Sequence, residues 1–126
     1  MELNIKSAAP FDIEQIVELI RLCGQDEERN LITFDHLDDV LFGRHSCLKA
    51  LVARHNLQVI GCLFYQHSFS ITNCRHDVQE KHSYVLPNIG NEHVKRELRL
   101  HLKTQAEALK PRRRELVSLK DGRAVV

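Results

Sequence analysis

The segment from Leu48 to Ser70 limits the possible folds more than any other part of this chain. Two strand-like runs, Leu48–Arg54 and Gln58–Ser70, flank a His55-Asn56 turn, which predicts a β-hairpin. Within the second run, Cys62 to Tyr65 is almost continuously apolar. A strand with one wet face alternates polar and apolar residues, whereas an unbroken apolar strand has to be covered on both faces. The hairpin is therefore the middle of a layered fold, and the flanking sequence must supply the layers.

Helical periodicity on either side supplies them. Leu3–Ser7 reads as a short first strand, broken by Ala8-Ala9-Pro10. Ile13, Ile16, Val17, Ile20 and Cys23 fall at helical spacing and predict a helix over 12–23, with Asp12 as cap, Gln15 in the capping-box position and Gly24 as terminator. An acidic loop, Gln25–Asn30, follows. Thr33 caps a second helix whose inner face is Phe34, Leu37, Val40 and Leu41, with Gly43 as its stop. After the hairpin, the polar stretch Asn73–Lys81 reads as a loop and His82–Leu86 as a short strand ended by Pro87. A third helix is expected over 91–109, with Val94, Leu98, His101 or Leu102, Gln105 and Leu109 facing inward and Pro111 closing it. Glu115–Lys120 reads as a last strand, followed by an Asp121-Gly122 turn. The expected order is β-α-α-β-β-β-α-β, an α+β (α/β) fold on a mixed, mostly antiparallel sheet, in a single domain spanning 1–126.

With 126 residues, 43% of them hydrophobic and 28% charged, the chain has a globular composition, which excludes disordered, collagen-like and coiled-coil classes. No apolar run reaches the roughly 20 residues of a membrane span, and Met1–Lys6 has no signal-peptide core. Cys23, Cys47, Cys62 and Cys74 form no Cys-x-x-Cys pair, so buried thiols in a reducing, intracellular compartment (cytoplasmic or nuclear) are the expectation. Charge is uneven: residues 1–42 carry 10 acids and 3 bases, residues 43–126 carry 7 acids and 15 bases. The plainer expectation is that the two parts complement each other, and an anionic ligand or acidic partner on the second part is the sharper one.

The eight histidines and four cysteines show no metal-ligand spacing: there is no His-x3-His pair, and His45/Cys47 and Cys74/His76 are too close together for a zinc knuckle. No metal is expected. A Cys-His nucleophilic pair would have to meet in space, and Cys23 and Cys62 lie on core faces, where a thiol is inert. Walker, G-x-G-x-x-G and G-x-S-x-G motifs are absent. Lys95, Arg96, Arg99 and Lys103 lie along the third helix, with Lys110, Arg112, Arg113 and Arg114 at its end. A solvated face and favourable contact with the helix dipole account for them. Nucleic-acid binding, which also needs exposed stacking aromatics, ranks third because the phenylalanines and tyrosines are expected on core faces.

Element order and local sequence together resemble the GNAT superfamily of N-acetyltransferases. Asp39-Val40-Leu41-Phe42-Gly43-Arg44-His45, Leu48–Ala53 and Val59-Ile60-Gly61-Cys62-Leu63-Phe64-Tyr65 look like the spermidine/spermine N-acetyltransferase branch, over about residues 3–72. The resemblance implies acetyl-CoA as cofactor, with its pyrophosphate held by a Q/R-x-x-G-x-G/A loop at the start of the third helix. Here that stretch is Pro87-Asn88-Ile89-Gly90-Asn91-Glu92-His93-Val94-Lys95; Gly90 falls on the arginine position, and His93 and Lys95 on the two glycines. Glu92 would set a carboxylate beside a phosphate, and like charges at ~4 Å repel by about 1 to 4 kcal/mol. The family's Glu-Asp pair for a cationic amine aligns with Lys81 and His82, and no residue matches its catalytic tyrosine.

Read this way, the chain is a degenerate, C-terminally short member lacking the last helix and hairpin. It is expected to be a non-catalytic, protein-binding module without a cofactor and without membrane contact. A partner or second copy would add to an open edge near Leu116, Val117 and Leu119, beside Arg112, Arg113 and Arg114. The alternative is an acetyl-CoA-dependent N-acetyltransferase acting on an amine, with Gly90, Asn91, Val94, Lys95 and Arg96 holding the coenzyme.

Overall fold

In the computed structural model, which describes residues 2–23, 32–44, 46–72, 74–87 and 90–109, the hairpin is the centre of the molecule. Strand β2 (Lys49–His55) pairs antiparallel with β3 (Gln58–Ser70). The turn lies one residue later than expected, at Asn56-Leu57, where φ is 51° and 70°. Positive φ at both positions is what a two-residue type I′ turn demands. Leucine pays a steric cost of roughly 1–2 kcal/mol there, and its side chain is 88% exposed, so it recovers nothing by packing. Leu57→Gly is expected to stabilise the protein by about 1 kcal/mol after glycine's own entropy loss; a lower urea midpoint would contradict this.

Strand β1 (Asn4–Ser7) adds antiparallel to β2, and β4 (Arg75–Val85) adds antiparallel to β3. Among the described residues the sheet order is β1-β2-β3-β4. The fourth strand is longer than the sequence reading allowed, because residues 75–81, expected in a loop, pair with β3 from Tyr65 to Ser70. Beyond Tyr65 the β3–β4 pair extends past the end of β2, and its sequence is mostly polar, with Val78 packed against the α3 layer. Backbone pairing holds this ribbon, which leaves no hydrophobic period to read.

Both faces of the sheet are covered, as the apolar run required. On one face α1 (Ile13–Cys23) and α2 (Phe34–Phe42) pack Ile13, Ile16, Val17, Ile20, Leu37 and Leu41 against Ala50, Val52, Cys62 and Phe64. On the other, α3 (Asn91–Leu109) packs Val94, Leu98 and Leu102 against Leu51, Ala53, Ile60, Leu63 and Tyr65. Each fully buried aliphatic side chain contributes about 1.5–3 kcal/mol, so these two layers account for the fold's main driving force. Leu102, not His101, takes the core position.

Several local expectations are corrected. A 3₁₀ turn, Pro10–Asp12, precedes α1, and Asp12 does not cap from in front of the helix; its Oδ2 reaches back to accept the Ala9 N–H at 2.7 Å. Gln15 is spent elsewhere, accepting the Val59 N–H at 2.9 Å. Thr33 does cap α2, accepting the His36 N–H at 3.2 Å, and Gly43 follows its last turn. Phe34, expected inside, is exposed, as are Phe11, Phe42 and Phe69; only Phe64 of the five phenylalanines is buried. Cys62 is buried, Cys23 and Cys74 are half-buried, and Cys47 is exposed on the strap before β2. Gly24, the Gln25–Asn30 loop, Pro111, the Glu115–Lys120 strand and the Asp121-Gly122 turn lie outside the described residues.

Candidate functional site

Two features of β4 and α3 define the region in which the expected site residues fall. The first is a bulge. Phe64 pairs with His82 and Tyr65 with Glu80, so Lys81 is an extra residue in β4. The bulge exchanges the faces of the strand. Before it, Val78 and Glu80 lie on the α3 side; after it, Tyr84 joins the α1 layer and Val85 the α3 layer. Lys81 and His82 are exposed, and the His82 ring stacks on Tyr84 at 6.3 Å, with Tyr84 edge-on to Phe64 at 6.2 Å. Cys23, at the end of α1, donates its thiol to the Val85 carbonyl at 3.3 Å. That bond fixes α1 against the last residue of β4. Burial pushes the Cys62 thiol far above the usual thiol range and raises the Tyr65 phenol, whose hydroxyl donates to Gln105 Oε1 at 3.1 Å.

The second feature is the start of α3. Gly90 has φ 67°, a value glycine adopts freely, and its carbonyl accepts the Val94 N–H at 3.1 Å. The helix thus begins at Asn91, and the N–H groups of Asn91, Glu92 and His93 have no partner within it. All five expected coenzyme residues gather here but do not share a face. Val94 is fully buried beneath the helix, Lys95 is half-buried, and Arg96 is exposed. The Arg99 Nε and guanidinium terminus donate to the two Glu80 oxygens at 2.9 and 3.2 Å. That bond, aided by the charges of Arg99 and Lys95, holds the Glu80 carboxyl below its usual range, and the pair raises Arg99 in turn. Arg99 is therefore already matched to a carboxylate.

Whether a diphosphate fits this place turns on two groups. Asn91 Oδ1 is a buried acceptor with no hydrogen-bond partner among the described residues. Glu92 lies in the first turn and supplies the negative charge that a helix N-terminus favours. An unpaired acceptor asks for a donor, and a carboxylate repels an anion. This set is ill matched to a coenzyme diphosphate, and no chemical step follows from it.

A third region was passed over in the sequence. His93, Glu97 and His101, spaced four apart on α3, line a trough of about 440 Å³ with Leu3 and Ile5 of the β1 end. The signal was available as an i, i+4, i+8 stripe, but it is not a His-x3-His pair. Among the described residues no three His, Cys, Asp or Glu side chains converge to hold a metal ion. Cys47 and His67 line a common pocket of about 260 Å³ with Lys49. The expected partner residues Arg112, Arg113, Arg114, Leu116, Val117 and Leu119 lie outside the described residues. No described helix is long and apolar enough to cross a membrane.

No protein-family model and no curated protein matches this chain. Solved structures do resemble it. A ribosomal-protein-alanine N-acetyltransferase from Brucella melitensis biovar Abortus 2308 superposes with a TM-score of 0.72 at 17% identity, over 86% of this chain and 74% of that one. An integron cassette protein from the mobile metagenome of V. cholerae gives 0.70 at 18% identity, over 99% and 85% of the two chains. An aminoglycoside acetyltransferase from an uncultured soil metagenomic sample, in complex with sisomicin, gives 0.67 at 17% identity, over 97% and 86%. These likenesses establish the fold as that of the GNAT N-acetyltransferases.

Proposed function

We propose that this chain is an acetyltransferase-fold domain that binds another protein and does not transfer acetyl groups. The observation that carries the reading is the furnishing of the α3 start, with an unpartnered acceptor on Asn91 and a carboxylate on Glu92 where a diphosphate would sit. The binding half of it rests on the open β1 edge of the sheet among the described residues, a template for strand addition. The proposal keeps the polyamine-acetylating branch as the source of the scaffold and intracellular residence as its setting. It also keeps edge-strand pairing, with a partner or a second copy near Arg112–Arg114, Leu116, Val117 and Leu119, as a mode of contact.

A thermal-shift titration with acetyl-CoA tests it. A ligand that binds only the folded state must raise the melting temperature. We expect no shift at roughly millimolar coenzyme, a concentration that reveals even weak sites. A saturable upward shift would replace this reading with the second one, an N-acetyltransferase acting on an amine. The specific features favouring that alternative are the open N–H groups at the α3 start and the nearby Lys95 and Arg96.

A further inference from the structure

Strand β1 is an edge strand among the described residues, and its two edges differ. The Ala8 N–H bonds the Ala50 carbonyl at 2.9 Å, which makes Ala8/Ala50 a bonded pair. Antiparallel pairs alternate, so Lys6/Val52 and Asn4/Arg54 are the other bonded pairs. The N–H and C=O groups of Ile5 and Ser7 therefore point away from β2, toward the open side. On the α3 face of that same edge, Leu3 and Ile5 are only half-buried. They form the floor of the trough whose wall is His93, Glu97 and His101. A row of backbone groups unpaired among the described residues, beside an apolar floor that those residues cover incompletely, is what an added strand would complete.

From this juxtaposition we infer that the β1 edge receives an extended peptide carrying an apolar residue and, two positions on, a lysine or arginine. The inference rests on the reading of the chain as a protein-binding domain. Residues i and i+2 of a strand share a face, so the apolar residue covers Leu3 and Ile5 while the cation meets Glu97. Glu97 is half-buried on the trough wall, and among the described residues neither ion pair involves it. A second copy of this chain is the poorer occupant. Paired through β1, it would bring Leu3, Ile5 and Ser7 to this face and no cation, leaving two Glu97 carboxylates facing the seam. Lys6 lies on the opposite face of the strand, one residue out of phase.

The test titrates the full chain with the capped peptide Thr-Val-Thr-Lys-Thr-Val-Thr and its glutamate-for-lysine counterpart. The lysine peptide is expected to bind at least about tenfold more tightly than the glutamate peptide, and Glu97→Gln should erase most of that preference. Ser7→Pro removes one outward N–H and no bond to β2, a change edge strands accept. It should weaken the lysine peptide about tenfold or more with the melting temperature nearly unchanged. Absence of binding, binding that ignores Ser7→Pro, or equal affinity for the two peptides would overturn the inference. So would self-association that Ser7→Pro abolishes, which would give the edge to a second copy. Acetyl-CoA stabilisation is read separately: it would defeat the protein-binding reading, while a failed peptide titration alone would defeat only this assignment of the surface.

Discussion

Replacing Asp12 by alanine is expected to destabilise the fold by about 3–5 kcal/mol, the usual loss when one partner of a buried ion pair is removed. Asp12 is 1% exposed and is the buried charged residue among those described. Its Oδ1 accepts from the Arg54 guanidinium, whose side chain is 19% exposed, and its Oδ2 accepts the Ala9 N–H. Alanine would leave a cation facing the core layer under α1 and an unsatisfied N–H at the chain's first bend. The phenyl ring of Phe11 lies over Arg54 at 5.4 Å and would retain only a weak hold on it. The pair joins the entry of α1 to the last turn-proximal residues of β2, so its loss should loosen β1 as well. Asp12→Asn keeps an acceptor for Ala9 and should cost less. In a double-mutant cycle, Asp12→Ala with Arg54→Met should be less harmful than the sum of its parts, because the second change removes the stranded charge. Urea denaturation of Asp12→Ala, Asp12→Asn, Arg54→Met and the double variant measures all of these losses. A loss below about 1 kcal/mol for Asp12→Ala would mean that water reaches the pair freely, as at surface salt bridges.

This ion pair also marks where the sequence stops being legible. Asp12 and Arg54 are 42 positions apart, and from the sequence alone Asp12 reads as a local helix cap because capping is a local rule. The helices were readable because each buries one periodic face, Ile13, Ile16, Val17 and Ile20 in α1 and Val94, Leu98 and Leu102 in α3, and the central hairpin because it is apolar on both faces. The outer half of β4 was not, since its sequence from Arg75 to Lys81 has a single apolar residue, Val78, and so no hydrophobic period. The phenylalanines misled in the other direction. Size and apolarity place a residue inside only when a layer is there to bury it, and Phe11, Phe34, Phe42 and Phe69 remain exposed. At the candidate site, Gly90 and the start of α3 were located by punctuation in the sequence, while the trough needed the fold, because its floor comes from β1 and its wall from α3.

Gly61→Val is expected to destabilise the protein by about 1–3 kcal/mol or more through overpacking, and to do so mainly through α3. Gly61 lies where β3 passes directly beneath that helix. A Cβ there would stand 2.9 Å from Val94 Cγ1 and 3.4 Å from both Leu98 Cδ1 and Val85 Cγ2. Val94 and Leu98 are fully buried, so neither has a free rotamer into which to retreat. Ile60, the extra residue of the β2–β3 bulge, packs into the same layer and closes the remaining space. The helix must therefore move outward, which would carry Asn91, Glu92 and His93 away from β4 and Glu97 away from Leu3 and Ile5. Hydrogen exchange distinguishes this from a general loss of stability: amides of α3 should lose protection before those of α1, which packs on the opposite face of the sheet. Under the strand-addition proposal, the same displacement widens the trough and weakens the lysine peptide at temperatures where the variant is still folded. Uniform loss of protection in α1 and α3 would show instead that the two layers unfold as one unit, and that the close approach at Gly61 does not set the position of the helix.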